Sequence, residues 1–295
     1  MPVPRPAGAL AALCLALSPL SAEPPVTGPP GSDRAPEALD VEHLARGWTS
    51  LPPAERAIAA RLVAQRTDEP ARLMQLRILA DRRAAPAVRR IAIDAVAGWD
   101  DPRAVLPLLD VVAEGPSGPA FAAVSALGRW ADDERVLRRA ADLAVRDVAG
   151  VRRLAFTLVG ASGDPRTLHL LERGLADSDP TARAAALAAA GRRAHAPALG
   201  ALIAALGASE RECALAATEA LAAFGPAASG AVPRALAILG DSGADAALRA
   251  AVPALLAHFT DQPPVRAALG AHARHPDRAI STACRLALGT HGGVR

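Results

Sequence analysis

Three histidines near the C-terminal end are the residues whose types and spacing best suit chemistry. His272 and His275 are about one helical turn apart, Asp277 follows them, and His258 ends the preceding predicted helix. Imidazole and carboxylate groups arranged in this way can hold zinc or another transition metal. The alternative is that they are polar side chains facing solvent at a helix end. We expect this second role, with no bound metal.

Motifs for other chemistries are missing from the sequence. It contains no Gly-rich dinucleotide or phosphate loop, no G-x-S-x-G nucleophile turn, no H-E-x-x-H zinc pair and no C-x-x-C-H haem attachment site. The sequence therefore predicts no catalytic centre and no cofactor.

A row of arginines recurs along the middle of the chain. Arg103, Arg135 and Arg166 each open a predicted second helix just after an acidic turn, and stacking would place them about 10 Å apart. Their guanidinium groups could bind carboxylates of a partner protein. Alternatively, they pair with the acids of the turns, which are Asp100, Asp101, Asp132, Asp133, Glu134 and Asp164.

We expect a partner protein to bind the exposed positions of the predicted second helices. Trp99 and Trp130, 31 residues apart at equivalent helix ends, are either contacts of the kind enriched in binding hot spots or plugs between neighbouring units. The predicted contacts on the helices are Arg103, Arg135, Arg138, Arg139, Arg166, His169, Glu172 and Arg173.

The elements that must position these residues come from an internal repeat. One alanine recurs in steps of 31, 32, 30, 32, 34 and 32 residues, at Ala92, Ala123, Ala155, Ala185, Ala217, Ala251 and Ala283. A constant period of this length indicates one supersecondary unit stacked many times. Each unit of such a stack contacts only its neighbours.

Each repeat has the pattern of two helices. Leu168, Leu171 and Leu175 illustrate the apolar stripe of a second helix, and no alternating strand pattern occurs. Seven pairs begin near residues 54, 88, 119, 151, 181, 212 and 246, and a last helix covers about 278–289. Pro226, Pro233 and Pro253 predict irregular structure toward the C-terminal end. The predicted fold is an all-α superhelix, an α-solenoid of about seven two-helix repeats.

The best repeats resemble a known family. The block from Val151-Arg152-Arg153 to Leu175, and the block from Val88 to Val112, resemble HEAT-like repeats of the short bilin-lyase type, and the resemblance covers 54–289. The members of this repeat family are scaffolds, adaptors and a few enzymes. The resemblance therefore implies a bilin-lyase-like, chromophore-handling enzyme as the alternative function. It also implies that Arg89, Arg90, Arg152, Arg153 and Arg183, which open first helices, bridge to acids of the adjacent unit.

HEAT-like di-iron hydroxylases use His-Glu dipeptides as ligands. None of the seven histidines of this chain is followed by Glu. The resemblance therefore does not extend to that metal chemistry.

Composition argues against nucleic acid as a partner. All 33 basic residues are Arg, against 30 acids, and the two signs alternate along most segments instead of forming a basic face. Cys213 and Cys284 lie two repeats apart, too far for a disulfide bond, so we expect two free thiols. We expect a monomer that binds another protein.

The N-terminal segment predicts export. Arg5 followed by the apolar run 7–17 and a cleavage site at Ala22 is typical of a signal peptide, and no later segment is apolar enough for a membrane span. Residues 1–22 are thus the predicted signal peptide, 23–36 a Pro/Gly-rich linker, 37–53 a capping helix, 54–289 the repeats and 290–295 a tail. The predicted function is a periplasmic or secreted, non-catalytic scaffold.

Overall fold

A computed structural model describes residues 40–289, which form α-helices joined by short turns and 3₁₀ segments. The predicted signal peptide, linker and tail lie outside these residues. The backbone divides after Asp100 into two compact units. The described part of the first unit contains α1 (Val41–Gly47), α2 (Pro53–Ala64), α3 (Glu69–Ala80) and α4 (Pro86–Ala97).

The described part of the second unit continues the alternation of first and second helices. Most first helices are longer than the second helices that follow them. The helices are α5 (Val105–Ala113), α6 (Gly118–Leu127), α7 (Glu134–Ala144), α8 (Ala149–Ala161), α9 (Leu168–Leu175), α10 (Pro180–Arg192), α11 (Leu199–Ala205), α12 (Arg211–Phe224), α13 (Val232–Gly240), α14 (Ala246–Leu256), α15 (Pro263–His272) and α16 (Arg278–Gly289).

The described helices confirm the predicted pairs. The first helices α2, α4, α6, α8, α10, α12 and α14 begin within about two residues of the predicted positions. Within the second unit, first helices pack on first helices, as α8 does on α10, α10 on α12 and α14 on α16. The all-α solenoid class is therefore confirmed.

The recurring alanine of the repeat does not face the core in every repeat. Ala92, Ala123, Ala155 and Ala217 are buried, but Ala185, Ala251 and Ala283 are partly exposed. The buried positions lie one residue later, at Ala186, Val252 and Cys284. Neighbouring alanines have the same apolar surface, so a run such as residues 184–190 does not specify which alanine faces inward.

The N-terminal helix α1 is fixed to the first pair by Trp48. The indole is only 1% exposed, and its Nε1–H donates to Oδ2 of Asp81 at 2.9 Å. The Arg56 guanidinium lies 5.9 Å from the ring centroid. Burying an aromatic of this size against the end of α3 explains how so short a helix is held in place.

Irregular structure appears where the prolines predicted it. A 3₁₀ segment, Gly225–Ala231, joins α12 to α13 and departs from helical geometry at Ala228. Pro253 lies inside α14 and is buried. Within the run Arg211–Gly240 a window of 18 residues has a mean hydropathy of 1.2, so the run is long and apolar enough to cross a membrane by length and composition, contrary to the sequence-based expectation. Within the fold it is two helices that pack into the core of the second unit.

The end of α10 places an alanine in a backbone conformation that favours glycine. Ala194 has φ of 46°, and the His195 N–H donates to the Ala190 carbonyl in the Schellman pattern. Because Cβ makes this left-handed conformation costly, we expect Ala194→Gly to raise the free energy of unfolding by about 1 kcal/mol in urea titrations. Ala188→Gly, inside the same helix, is the control and should lower it by about 1 kcal/mol. Equal losses in both variants would contradict the prediction.

Candidate functional site

Three of the predicted contact arginines belong to one recurring turn, which we call the Asp–Arg clasp. An aspartate accepts the backbone N–H of the arginine two residues later, at 2.8–2.9 Å, and the same carboxylate binds that arginine's guanidinium. The aspartate thereby caps the start of the second helix. The three clasps are Asp101 with Arg103, Asp133 with Arg135, and Asp164 with Arg166.

Two of the clasps stabilise the charged carboxylate. The hydrogen bonds from Arg135 hold the pKa of Asp133 below its ordinary value, and those from Arg166 do the same for Asp164. The pairing alternative for these arginines is therefore confirmed. Their side chains are still 48%, 40% and 67% exposed, for Arg103, Arg135 and Arg166 in turn, so binding of a partner at these positions stays a prediction.

Polar contacts join the successive turns that carry the clasps. Asp132 accepts hydrogen bonds from the Ser162 hydroxyl and the Gly163 N–H, both at 2.7 Å, and this lowers its pKa. From the next turn, Arg193 donates to the Asp164 carbonyl at 3.0 Å and to the Thr167 hydroxyl at 2.9 Å. Guanidinium and carboxylate groups that bridge neighbouring pairs in this way hold the turns at fixed spacing.

Of the remaining predicted arginines, Arg138 of α7 and Arg173 of α9 are exposed and Arg139 of α7 is half-buried. Arg138 is 78% exposed and pairs with Glu134 one turn earlier, and Glu134 also receives Arg166 at 3.2 Å. Arg139, His169 and Arg173 form no hydrogen bond or ion pair through their side chains among residues 40–289. Because these side chains form no polar contact in the described fold, their hydrogen-bond donors remain available.

Glu172 lies at the side of α9 that faces the next pair. Its Oε1 is 3.4 Å from Nε2 of His195, which is buried and forms no hydrogen bond through that atom. His195 occupies the N-cap position that an aspartate holds in the three clasps. The contact becomes an ion pair only when the imidazole is protonated, and 60% of the Glu172 side chain stays exposed.

The two tryptophans at equivalent helix ends differ in exposure. Trp99 is 7% exposed, with the Arg72 guanidinium 5.6 Å from its ring centroid, so it offers a partner little surface. This environment fits the alternative in which the tryptophan fills the gap between neighbouring repeats. Trp130 is half-buried at the end of a 3₁₀ turn and stays a predicted contact.

The exposed side of the second helices carries fewer charged residues after α9. Sequence reasoning did not predict this change. On α11 the exposed residues are Gly200, Ala201 and Ala204, and α11 carries no charge. On α13 the equivalent positions are Pro233, Arg234 and Ala237, all exposed, and only Arg234 is charged. We call the residues Arg138, Arg139, His169, Glu172 and Arg173 of α7 and α9 the polar face.

Sequence reasoning did not predict the backbone contacts of a row of arginines, each four residues after the N-cap of a first helix, of which Arg89 and Arg249 are buried and the others half-buried. Their guanidinium groups donate to backbone carbonyls that precede the helix. For Arg89 and Arg249 this carbonyl lies at the end of the preceding second helix, where carbonyls lack helical partners. The row consists of Arg56, Arg89, Arg152, Arg183 and Arg249.

Bridging to acids of the adjacent repeat is confirmed for two of the arginines for which it was predicted. Arg152 binds Asp177, with 2.7 Å between Nε and Oδ2, and Arg183 binds Glu210 at 2.9 Å. The prediction is wrong for Arg90, which pairs with Asp94 of its own helix. Arg153 instead lies over the ring of Phe121, 5.1 Å from its centroid.

The C-terminal histidines form hydrogen bonds with the backbone. His272 and His275 stack with ring centroids 6.0 Å apart, Nδ1 of His272 is 2.9 Å from the Ala268 carbonyl oxygen, and the Asp277 N–H donates to Nδ1 of His275. In the part of the chain that the structure describes, no three His, Cys, Asp or Glu side chains are grouped to hold a metal ion.

Cys213 and Cys284 are buried free thiols, as predicted. Burial raises the pKa of both. Buried thiols of this kind are unreactive and act as small core residues.

No family model and no curated protein matches the sequence. Solved helical-repeat structures do match the fold. The YibA protein of E. coli matches with a TM-score of 0.51 and 14% identity, over 85% of this chain and 98% of that one. This likeness shows a HEAT-like repeat fold.

Two further structures are similar at lower TM-scores. The complex of CpcE and CpcF of phycocyanin lyase from Nostoc sp. gives 0.46 with 17% identity, over 88% of this chain and 100% of that chain. Human deoxyhypusine hydroxylase gives 0.37 with 21% identity, over 85% and 95%. Neither similarity carries an argument about activity.

Proposed function

We propose that the chain is a non-catalytic, exported scaffold that binds another protein through the polar face of α7 and α9. The observation that carries the proposal is a set of side chains that form no hydrogen bond or ion pair among residues 40–289. They are the exposed His169 and Arg173 and the half-buried Arg139, and they lie beside the exposed, salt-bridged Arg138. The two helices belong to neighbouring pairs joined through their turns. Rigid presentation lowers the entropy that association costs.

The chemistry of the face indicates what it recognises. Arginine donates several parallel hydrogen bonds and suits carboxylates, and exposed charges steer association and discriminate among partners more than they add affinity. The partner surface should therefore offer acidic groups opposite Arg138 and Arg173. Glu172 and Asp142 on the same helices would reject a partner with misplaced acids.

Two triple variants test which row of arginines binds. The face variant combines Arg138→Gln, His169→Gln and Arg173→Gln, and the clasp variant combines Arg103→Gln, Arg135→Gln and Arg166→Gln. We expect the face variant to lose capture of partner from envelope extract while keeping its melting temperature. Exposed ion pairs contribute only about 0–1 kcal/mol each, so the clasp variant should lose little stability. Its arginines are already held by aspartates, so it should lose less capture than the face variant.

A third triple variant is the control for loss of charge. Arg153→Gln, Arg211→Gln and Arg278→Gln remove three guanidinium groups from first helices, as many as the clasp variant removes and one more than the face variant removes. Equal loss of capture in this control would mean that net charge, not the polar face, governs binding. Loss of partner capture in the clasp variant alone would instead place the binding site at the turns that carry the clasps.

Export is tested by the N-terminus of the protein made in its own host. We expect a mature chain that begins near Glu23 and lies outside the cytoplasm, because residues 1–22 have the pattern of a cleaved signal peptide. Mass spectrometry of the envelope and cytosolic fractions measures this. Cytosolic protein with Met1 or Pro2 intact would contradict export.

A further inference from the structure

Two departures from the repeat pattern of the second unit meet at one contact. The N-cap of a second-helix segment is aspartate in the three clasps, but it is His195 in the next pair. Eight residues after the N-cap, α9 carries the exposed Glu172. The equivalent residues of α5, α7, α11 and α15 are uncharged, and they are Leu109, Ala141, Ile203 and Gly270. The two exceptional residues lie against each other, with 3.4 Å between Oε1 of Glu172 and Nε2 of His195.

The imidazole of His195 is buried and held in place. Its side chain is 7% exposed. Its backbone N–H donates to the Ala190 carbonyl, and its carbonyl accepts from the Ala198 N–H. Nε2 has no hydrogen-bond partner among residues 40–289, and a buried polar atom without a partner destabilises a fold. The Glu172 side chain is 60% exposed, so it has room to turn toward the imidazole or toward solvent.

Glu172 is the carboxylate that can pair with this imidazole. No other carboxylate of the described residues lies within ion-pair distance of it. Arg192 and Arg193 of its own turn donate to backbone carbonyls of the preceding pair, the Asp164 carboxylate is held in its clasp, and α11 carries no charge. The remaining charged or titratable groups on the exposed sides of α9 and α12 are His169, Arg173, Arg211, Glu212 and Glu219.

We propose that protonation of His195 regulates the polar face by binding the Glu172 carboxylate, an inference that rests on the function proposed for that face. Histidine is the side chain that gains its charge between about pH 8 and 5. Once the ring is charged, its Nε2–H donates to Oε1, and the ion pair joins α9 to the turn of the next pair. The negative charge that opposes Arg138 and Arg173 on the face is then neutralised.

The consequence is tighter binding of acidic groups in mildly acidic solution. At pH 8 the unpaired Glu172 carboxylate repels an acidic partner beside Arg173. At pH 5.5 the same carboxylate is paired with His195 and repels the partner less. The partner's own carboxylates, with ordinary pKa values of about 4, stay ionised at both pH values.

Urea unfolding of the full chain tests the contact without a partner. In a double-mutant cycle of His195→Gln and Glu172→Gln, the coupling factor in the unfolding constant should be at least about threefold at pH 5.5 and close to one at pH 8. The matched control is a cycle of Arg211→Gln and Asp245→Asn, a pair that also bridges neighbouring pairs but contains no imidazole. The control factor should be the same at both pH values. A factor of one for His195 and Glu172 at pH 5.5 would overturn the proposal.

Fluorescence anisotropy of a labelled peptide of about eight aspartates, at low salt, tests the regulation. Every chain in this measurement carries His169→Gln, which removes the second imidazole of the face. In that background the Kd should be at least about threefold lower at pH 5.5 than at pH 8. Glu172→Gln should give the low Kd at both pH values, and His195→Gln should give the high Kd at both. Should His195→Gln fail to fold, Glu172→Gln still tests the proposal, since its Kd should not depend on pH.

Two further changes separate the regulation from the binding itself. Arg138→Gln together with Arg173→Gln should abolish binding of the peptide. If the peptide bound equally well without these arginines, the polar face would not be the binding surface, and its proposed function would fall together with its regulation. If binding needed the arginines but had the same Kd at pH 5.5 and pH 8, the face would bind acidic groups and regulation by His195 alone would be overturned.

Discussion

Replacing Arg152 with alanine is expected to lower the free energy of unfolding by about 3–5 kcal/mol. The guanidinium binds both oxygens of Asp177 at 2.7 Å and donates to the carbonyls of Arg146 and Asp147. The two side chains are only 15% and 7% exposed. Removing the arginine would leave a buried carboxylate without its counter-ion, and the loss is measured by urea unfolding followed by circular dichroism.

An exposed pair of similar design is the control. Arg211 and Asp245 also bridge neighbouring pairs, at 3.1 Å, but their side chains are 63% and 39% exposed. Water solvates and screens these charges, so Arg211→Ala should lower the free energy of unfolding by no more than about 1 kcal/mol. If Arg152→Ala lowered the free energy of unfolding as little as Arg211→Ala, burial would not make the Arg152–Asp177 pair the more stabilising of the two.

The difference in free energy of unfolding between wild type and Arg152→Ala should depend on pH because of Asp177. The hydrogen bonds from Arg152 hold its folded-state pKa below the ordinary value, so its contribution is present above the unfolded pKa of about 3.9 and disappears as pH falls through the folded pKa. Unfolding at pH 7, 5 and 3.5 should therefore show wild type and Arg152→Ala converging at the acid end. Arg152→Ala combined with Asp177→Asn should recover part of the loss at pH 7.

The helix pairs could be predicted because their signals are local. Asp followed by Pro starts a helical segment at Asp101 and Asp164, and leucines at helical spacing specify the buried side. The register could not be predicted in alanine runs, where neighbouring positions differ too little in apolar surface. Ala185 and Ala186 have the same side chain, and only packing against the adjacent helices buries the second.

The candidate site could be predicted only in part, for a related reason. Spacing identified the row of Arg103, Arg135 and Arg166, but their pairing with the residue two positions earlier depends on how each turn orients its carboxylate. The arginines of the first helices left a periodic signal, since Arg152 and Arg183 each follow their N-cap by four residues, yet the backbone carbonyls that they bind carry no sequence pattern.

Replacing Gly191 with alanine is expected to lower the free energy of unfolding by about 1–3 kcal/mol, although alanine is the better helix former. A Cβ at this position would lie 2.5 Å from the Cβ and 2.6 Å from the Cα of Ala220. Because one of these atoms is backbone, α10 and α12 must move apart to admit the methyl group, which weakens their packing. Urea unfolding measures the loss.

Gly270→Ala is the matched control, since a Cβ on this exposed residue of α15 would meet nothing within 4 Å. There the helix propensity of alanine acts alone and should raise the free energy of unfolding by about 0.8–1.0 kcal/mol. Adding Ala220→Gly to Gly191→Ala should restore part of the loss by removing the opposing methyl group. If Gly191→Ala proved as stable as Gly270→Ala, the first helices would not be in close contact, and the rigid spacing that we propose for the polar face would lose its support.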